Sequence, residues 1–139
     1  MVRLLALLLC AATALGQQLT VGTASASAGQ KVNGYIEVPA AADPGTRIPV
    51  VVVRGANAGP TLAIVSGAHG TEYTSIIAVE KLIQILDPAS ISGSVILVPL
   101  VNLASFTQKV PHVNPVDNKS MNRFYPGNPN GSQTERVSY

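Results

Sequence analysis

Thr61-Leu62-Ala63-Ile64-Val65-Ser66-Gly67-Ala68-His69-Gly70-Thr71-Glu72 is the stretch on which the reading of this chain turns. Its first five residues form a short apolar run of the kind found in a buried strand. A helical pattern, Thr71 to Leu86, follows at once. Thr71 can cap it, Asp87-Pro88 stops it, and of Ile76, Ile77, Glu80, Ile83 and Leu86 only Glu80 is polar. Most of one stripe is therefore apolar and should pack on a sheet. Ser94 to Val101 is a second apolar run, continuous as in strands covered on both faces. Strand, helix and strand make a crossover unit, so the class is α/β. Functional groups in such sheets collect at the carboxyl ends of the strands. The loops after Val65 and Val101 should open on one side.

Outward from this unit, Val32 to Val38 and Ile48 to Val53 read as further strands. Asp43-Pro44-Gly45 and Asn57-Ala58-Gly59-Pro60 carry turn chemistry between strands. Gln17 to Gly29, rich in Ala, Ser, Thr and Gly, reads as a flexible lead-in. Residues 17–45 thus hold the lead-in and a first strand, and 46–139 the main α/β portion. After Asn102 polar and turn residues prevail to Ser132, and Thr134 to Tyr139 reads as the start of a helix.

At 139 residues the chain can bury one core, and 47% hydrophobic against 12% charged residues favours folding over disorder. The net charge of +2 comes from scattered Lys and Arg, which excludes an electrostatic footprint for nucleic acid or an anionic membrane. The partner is expected to be a small molecule. Met1-Val2-Arg3, the apolar run Leu4 to Leu15 and the small-residue pattern Ala14-Leu15-Gly16 before Gln17 read as an export signal over residues 1–16. The run is too short for a stable membrane anchor, which needs ~20 apolar residues. The expected compartment is secreted or periplasmic. Cys10 is the single cysteine, so the exported chain would rest on its core without disulfides, and any metal must be held by His, Asp or Glu.

Two clusters carry chemistry. His69 sits where the strand ends and Glu72 in the first turn of the helix, with Gly67 and Gly70 letting the backbone turn tightly between them. An imidazole and a carboxylate converging on one point suit a first-row metal such as zinc. The plainer reading is a solvated loop histidine and a glutamate placed for the helix dipole. The second cluster runs from Asn114 to Gly127 and contains Asn122-Arg123. Arg offers a planar fork to a carboxylate and Asn a neutral donor and acceptor, so the pair suits an acidic substrate. Alternatively Arg123 ties the loop by pairing with Asp117.

Gly67-Ala68-His69-Gly70-Thr71-Glu72, then Val113-Asn114-Pro115…Asp117…Lys119…Asn122-Arg123…Pro126-Gly127 and Thr134-Glu135-Arg136, together resemble the succinylglutamate desuccinylase/aspartoacylase family. The resemblance runs from about Ile48 to the end. It implies a mixed, largely parallel sheet with flanking helices, like the zinc carboxypeptidases and incomplete at the C-terminus. It also implies that His69 and Glu72 are zinc ligands and that Asn122 and Arg123 bind substrate. The remaining His ligand and the catalytic Glu of the family are expected beyond Tyr139, so no catalytic residue is assigned within this chain. His112 is a poor substitute for that ligand. Relatives tend to carry arginines just before this point, where this chain has Lys109, Val110 and Pro111, which leaves open what charged group the substrate bears.

The function implied is a zinc-dependent deacylase that cleaves an amide or ester bond of an N-acyl amino acid or similar small substrate by metal-activated water. The alternatives are a zinc carboxypeptidase-like peptidase and a non-catalytic α/β fragment. On this reading the chain is the N-terminal portion of the enzyme and is inactive as it stands.

Overall fold

The run Ile48 to Val53 decides the core, because it is apolar on both of its faces. In the structure, a computed structural model describing residues 18–139, it becomes the middle of a strand whose alternate side chains feed two clusters. In chain order the elements are β1 (Leu19–Val21), β2 (Ala24–Ala26), β3 (Gln30–Val38), β4 (Thr46–Arg54), β5 (Asn57–Val65), α1 (Tyr73–Ile85), β6 (Ser92–Val98), α2 (Leu103–Gln108) and α3 (Gln133–Val137). Short 3-10 turns lie at Pro88–Ser90 and Met121–Arg123. The export signal expected at residues 1–16 lies outside the described residues.

Four strands form one mixed sheet in the order β3-β4-β6-β5, and β1-β2 make a separate hairpin. β3 pairs antiparallel with β4, β4 antiparallel with β6, and β5 parallel with β6. The mixed α/β sheet with flanking helices is as expected, but over the described residues it is not largely parallel, since one of its three pairings is parallel. That parallel pair is the crossover unit, β5-α1-β6. Ile48, Val50 and Val52 pack with Ala24, Ala26, Val98, Val101 and Met121 on one face. Val51 and Val53 pack with Leu97 and with Val79 of α1 on the other. Each fully buried valine contributes roughly 1.5–3 kcal/mol to this core.

Several local expectations give way. The lead-in is ordered as β1 and β2, with Ala24 and Ala26 fully buried. Small residues there let the hairpin lie directly on β3, where a Cβ at Gly34 would collide with the Ala24 backbone. Asn57 to Pro60 is not a turn but the irregular start of β5, with a register shift between Asn57 and Thr61. Proline is tolerated because β5 is an edge strand, whose outer side needs no N–H donor. Helix α1 begins at Tyr73 after Glu72, with no side-chain cap from Thr71. Ile76 and Val79 are its buried residues, whereas Ile77 is exposed. Its last turn holds no basic residue. Lys31 of β3 supplies that charge instead, its Nζ donating to the carbonyls of Ile83 and Leu86 at 2.8 Å each.

Candidate active site

The loop from Ser66 to Glu72 leaves the carboxyl end of β5 and is stitched to the segment after β6. Ser66 N donates to Val98 O, Val101 N to Ser66 O, and Asn102 N to Gly67 O. The Asn102 side chain adds a bond to Ala68 O at 3.1 Å. The two strand ends therefore open on one side, as the crossover topology requires. Gly67 has a φ of +69°, a conformation that glycine adopts without strain. Gly70 is needed for a different reason. Its amide donates to Ser105 Oγ at 2.9 Å, and a Cβ there would collide with the Phe106 backbone. Helix α2 thus presses directly on the loop, and Phe106 also meets Tyr73 edge-on at 6.0 Å.

This packing holds His69 against Glu72. His69 Nδ1 lies 3.1 Å from Glu72 Oε1. Two donor atoms bound to one zinc at ordinary bond lengths and a near-tetrahedral angle stand roughly 3.3 Å apart. The pair is thus spaced as two ligands of one ion would be, and it is the pair in this chain that could hold a metal. Among the described residues no third His, Cys, Asp or Glu completes a cluster with them. His112 comes close but does not join. Its ring stands edge-on to His69, with centroids 5.4 Å apart, and its backbone φ is +66°.

The second cluster reaches the first through Ser120, which the sequence did not single out. Its Oγ lies 3.3 Å from His69 Nε2 and donates to Asn122 Oδ1 at 2.9 Å. The structure therefore brings His69, Glu72 and Asn122 into one hydrogen-bonded group. Arg123 follows at the end of the 3-10 turn, exposed. Its expected alternative role, a loop tie through Asp117, is not what the structure has. Asp117 accepts instead from Thr134 N and Thr134 Oγ1 at 2.7 Å each and from Lys119 N at 3.2 Å. Among the described residues the Arg123 guanidinium takes part in no ion pair.

The walls around this loop are themselves fixed. Asn114 is buried, with its Nδ2 donating to Gln133 Oε1 at 2.9 Å. Burial pushes the Asp117 carboxyl up, but the hydrogen bonds it accepts, those from Thr134 and Lys119 among them, outweigh it and hold the group below its ordinary value. Glu135 closes a capping box with Ser132 and meets Lys119 Nζ at 2.7 Å. The Lys119 contact first, then the Ser132 bonds, bring its pKa down to about 2. An apolar cleft of about 980 Å³ lies at the same strand ends, lined in part by Val65, Val98, Val101, Tyr125 and Val137.

Comparison with known proteins gives this geometry a lineage. The model of the succinylglutamate desuccinylase/aspartoacylase catalytic domain matches residues 58–139, from β5 through His69, Glu72, Asn122 and Arg123 to the C-terminus. The chain belongs to the succinylglutamate desuccinylase/aspartoacylase family. One relative in sequence is the N-alpha-acetyl-L-2,4-diaminobutyric acid deacetylase of Halomonas elongata, 36% identical over 110 residues, covering 76% of this chain and 32% of the relative. Among solved structures, a succinylglutamate desuccinylase/aspartoacylase from Rhodobacter sphaeroides superposes with a TM-score of 0.70 at 32% identity, covering 78% of this chain and 34% of that one. An aspartoacylase family protein from Mesorhizobium loti gives 0.74 at 29% identity, with 88% and 37% covered. The chain thus spans about a third of the length of these family members.

Proposed function

We propose that this chain contributes zinc ligands and substrate-binding groups to a zinc-dependent hydrolase acting on an N-acyl amino acid or a similar small acyl substrate. The observation that carries the reading is the 3.1 Å approach of His69 Nδ1 to Glu72 Oε1 at the open strand ends, with Asn122 joined to the same group. The Halomonas relative, named as a deacetylase of an N-acetylated amino acid, supports the substrate class.

Zinc at such a pair supplies a Lewis acid for the acyl carbonyl and lowers the pKa of water toward ~7. His69 and Glu72 hold the ion. Asn122 presents amide donors to a carbonyl or carboxylate oxygen, and Arg123 offers its planar fork to a substrate carboxylate or to developing negative charge. The leader at residues 1–16 supports placement of the protein outside the cytoplasm, secreted or periplasmic, with cleavage before Gln17.

The test, on the complete hydrolase to which this chain contributes, is zinc content after dialysis together with hydrolysis of N-acetylated amino acids. His69→Ala and Glu72→Ala are each expected to lose the metal and the activity together. Stoichiometric zinc in His69→Ala would show that the ligand assignment is mistaken.

A further inference from the structure

We propose that Ser120 is a positioning residue that sets the metal ligand His69 and the substrate-binding amide of Asn122 through one shared hydroxyl. The inference rests on the metal and substrate roles given to those residues above. A serine hydroxyl has one hydrogen, and here it is donated to Asn122 Oδ1 at 2.9 Å. The same oxygen lies 3.3 Å from His69 Nε2, so in the tautomer that carries its hydrogen on Nε2 it accepts that hydrogen. This ordering leaves Nδ1 as the lone-pair nitrogen of the ring. Nδ1 faces Glu72 Oε1 at 3.1 Å, acceptor to acceptor, an arrangement that a cation between the two atoms stabilises. Metal-bound histidines generally donate their other ring N–H to an outer partner, which fixes tautomer and ring angle. Ser120 stands in that outer position, from a segment 51 residues further along the chain.

The other end of the hydroxyl has an equal consequence. With Oδ1 occupied by Ser120, Asn122 turns its Nδ2 donors away, and the residue is exposed. Its free face therefore offers hydrogen-bond donors, which fits a carbonyl or carboxylate on the substrate. Ser120 is itself well anchored. It accepts from Arg123 N through its carbonyl at 3.0 Å and follows Lys119, whose backbone carbonyl accepts from buried Asn114. The hydroxyl thus transmits the position of a rigid loop to two functional side chains. Because it is neutral, it polarises the His69 ring less than a carboxylate would.

The experiment is zinc affinity by competition with a chromophoric chelator, measured on the complete hydrolase and its variants with melting curves alongside. Ser120→Ala is expected to weaken zinc about 10- to 100-fold with the metal-free melting temperature preserved. Ser120→Thr, which keeps the hydroxyl, should retain the parent affinity, and Ser120→Asp should match or exceed it. If Ser120→Ala folds poorly, Ser120→Val against Ser120→Thr isolates the hydroxyl at constant shape. Weaker zinc in the valine variant supports the relay, and equal zinc in the two overturns it. A His69→Ala protein that binds zinc like the parent overturns the metal pair itself, and is read separately from the Ser120 series.

Discussion

Asp117 holds Thr134 at two points, accepting from its amide through Oδ2 and from its hydroxyl through Oδ1, each at 2.7 Å. This clasp binds the loop that carries Ser120, Asn122 and Arg123 to the first turn of α3. Thr134 is fully buried, so Asp117→Ala leaves two donors without water or partner. The expected loss is at least about 2 kcal/mol, since each buried donor left unmade costs roughly 1–3 kcal/mol. Chemical denaturation of the variant measures it. Unchanged stability would mean that the loop finds another anchor.

Arg123 should behave in the opposite way. Exposed and unpaired among the described residues, its truncation to alanine is expected to move stability by no more than about 0.5 kcal/mol. If it clamps substrate in the proposed hydrolase, turnover should fall ~30- to 1000-fold, equivalent to roughly 2–4 kcal/mol of lost transition-state stabilisation. Kinetics, zinc content and melting on one preparation separate the two roles. A large melting shift with near-normal kinetics returns Arg123 to the scaffold.

Gly70 offers a test of how the His69 loop is held. A methyl group there meets the Phe106 backbone, which cannot yield without moving α2. Gly70→Ala is expected to lower stability by roughly 1–3 kcal/mol, the usual range for overpacking. In the proposed hydrolase it should weaken zinc at the same time, because shifting α2 disturbs the bond from the Gly70 amide to Ser105 Oγ. Full zinc binding at the parent melting temperature would show that the loop adjusts freely.

What the sequence discloses of this molecule follows from how each signal arises. The run Ile48 to Val53 is legible because both of its faces are buried, which demands apolar residues at every step. The crossover from β5 through α1 to β6 is legible from a change of continuous to helical periodicity, although β5 is an exposed edge strand among the described residues and not the buried strand its apolar run suggests. Ala24 and Ala26 are misread because they are small residues that are fully buried, and small residues also mark loops. Pro60 is misread because proline reports only a missing donor, which an edge strand and a turn can both accommodate. In the site, His69 and Glu72 stand three positions apart and share a motif, so their meeting is foreseeable. Ser120 and His112 are not. Their contacts with His69 span 51 and 43 positions, and neither residue type announces such a contact.

Glu135 gives the chain a defined acid response. Its carboxylate accepts from Lys119 Nζ at 2.7 Å and from Ser132 N and Oγ at 2.9 Å each. These bonds lower its pKa from 4.5 to about 2 in the folded protein, the Lys119 contact being the largest cause. A depressed folded pKa means that the unfolded chain takes up the proton first as pH falls. The stability from this group is therefore fully present above pH 4.5 and is lost as pH drops toward 2. Glu135→Gln removes the charge while keeping a side chain that can still close the capping box. The variant should melt below the parent at neutral pH, and the gap should narrow between about pH 4.5 and 2. Because other carboxylates titrate in the same range, Asp117 among them, the informative quantity is the difference between the two proteins at each pH. Melting curves at closely spaced pH values supply it. A gap that stays constant down to pH 2 would show that the Glu135 charge contributes nothing to holding α3 against the Ser120 loop.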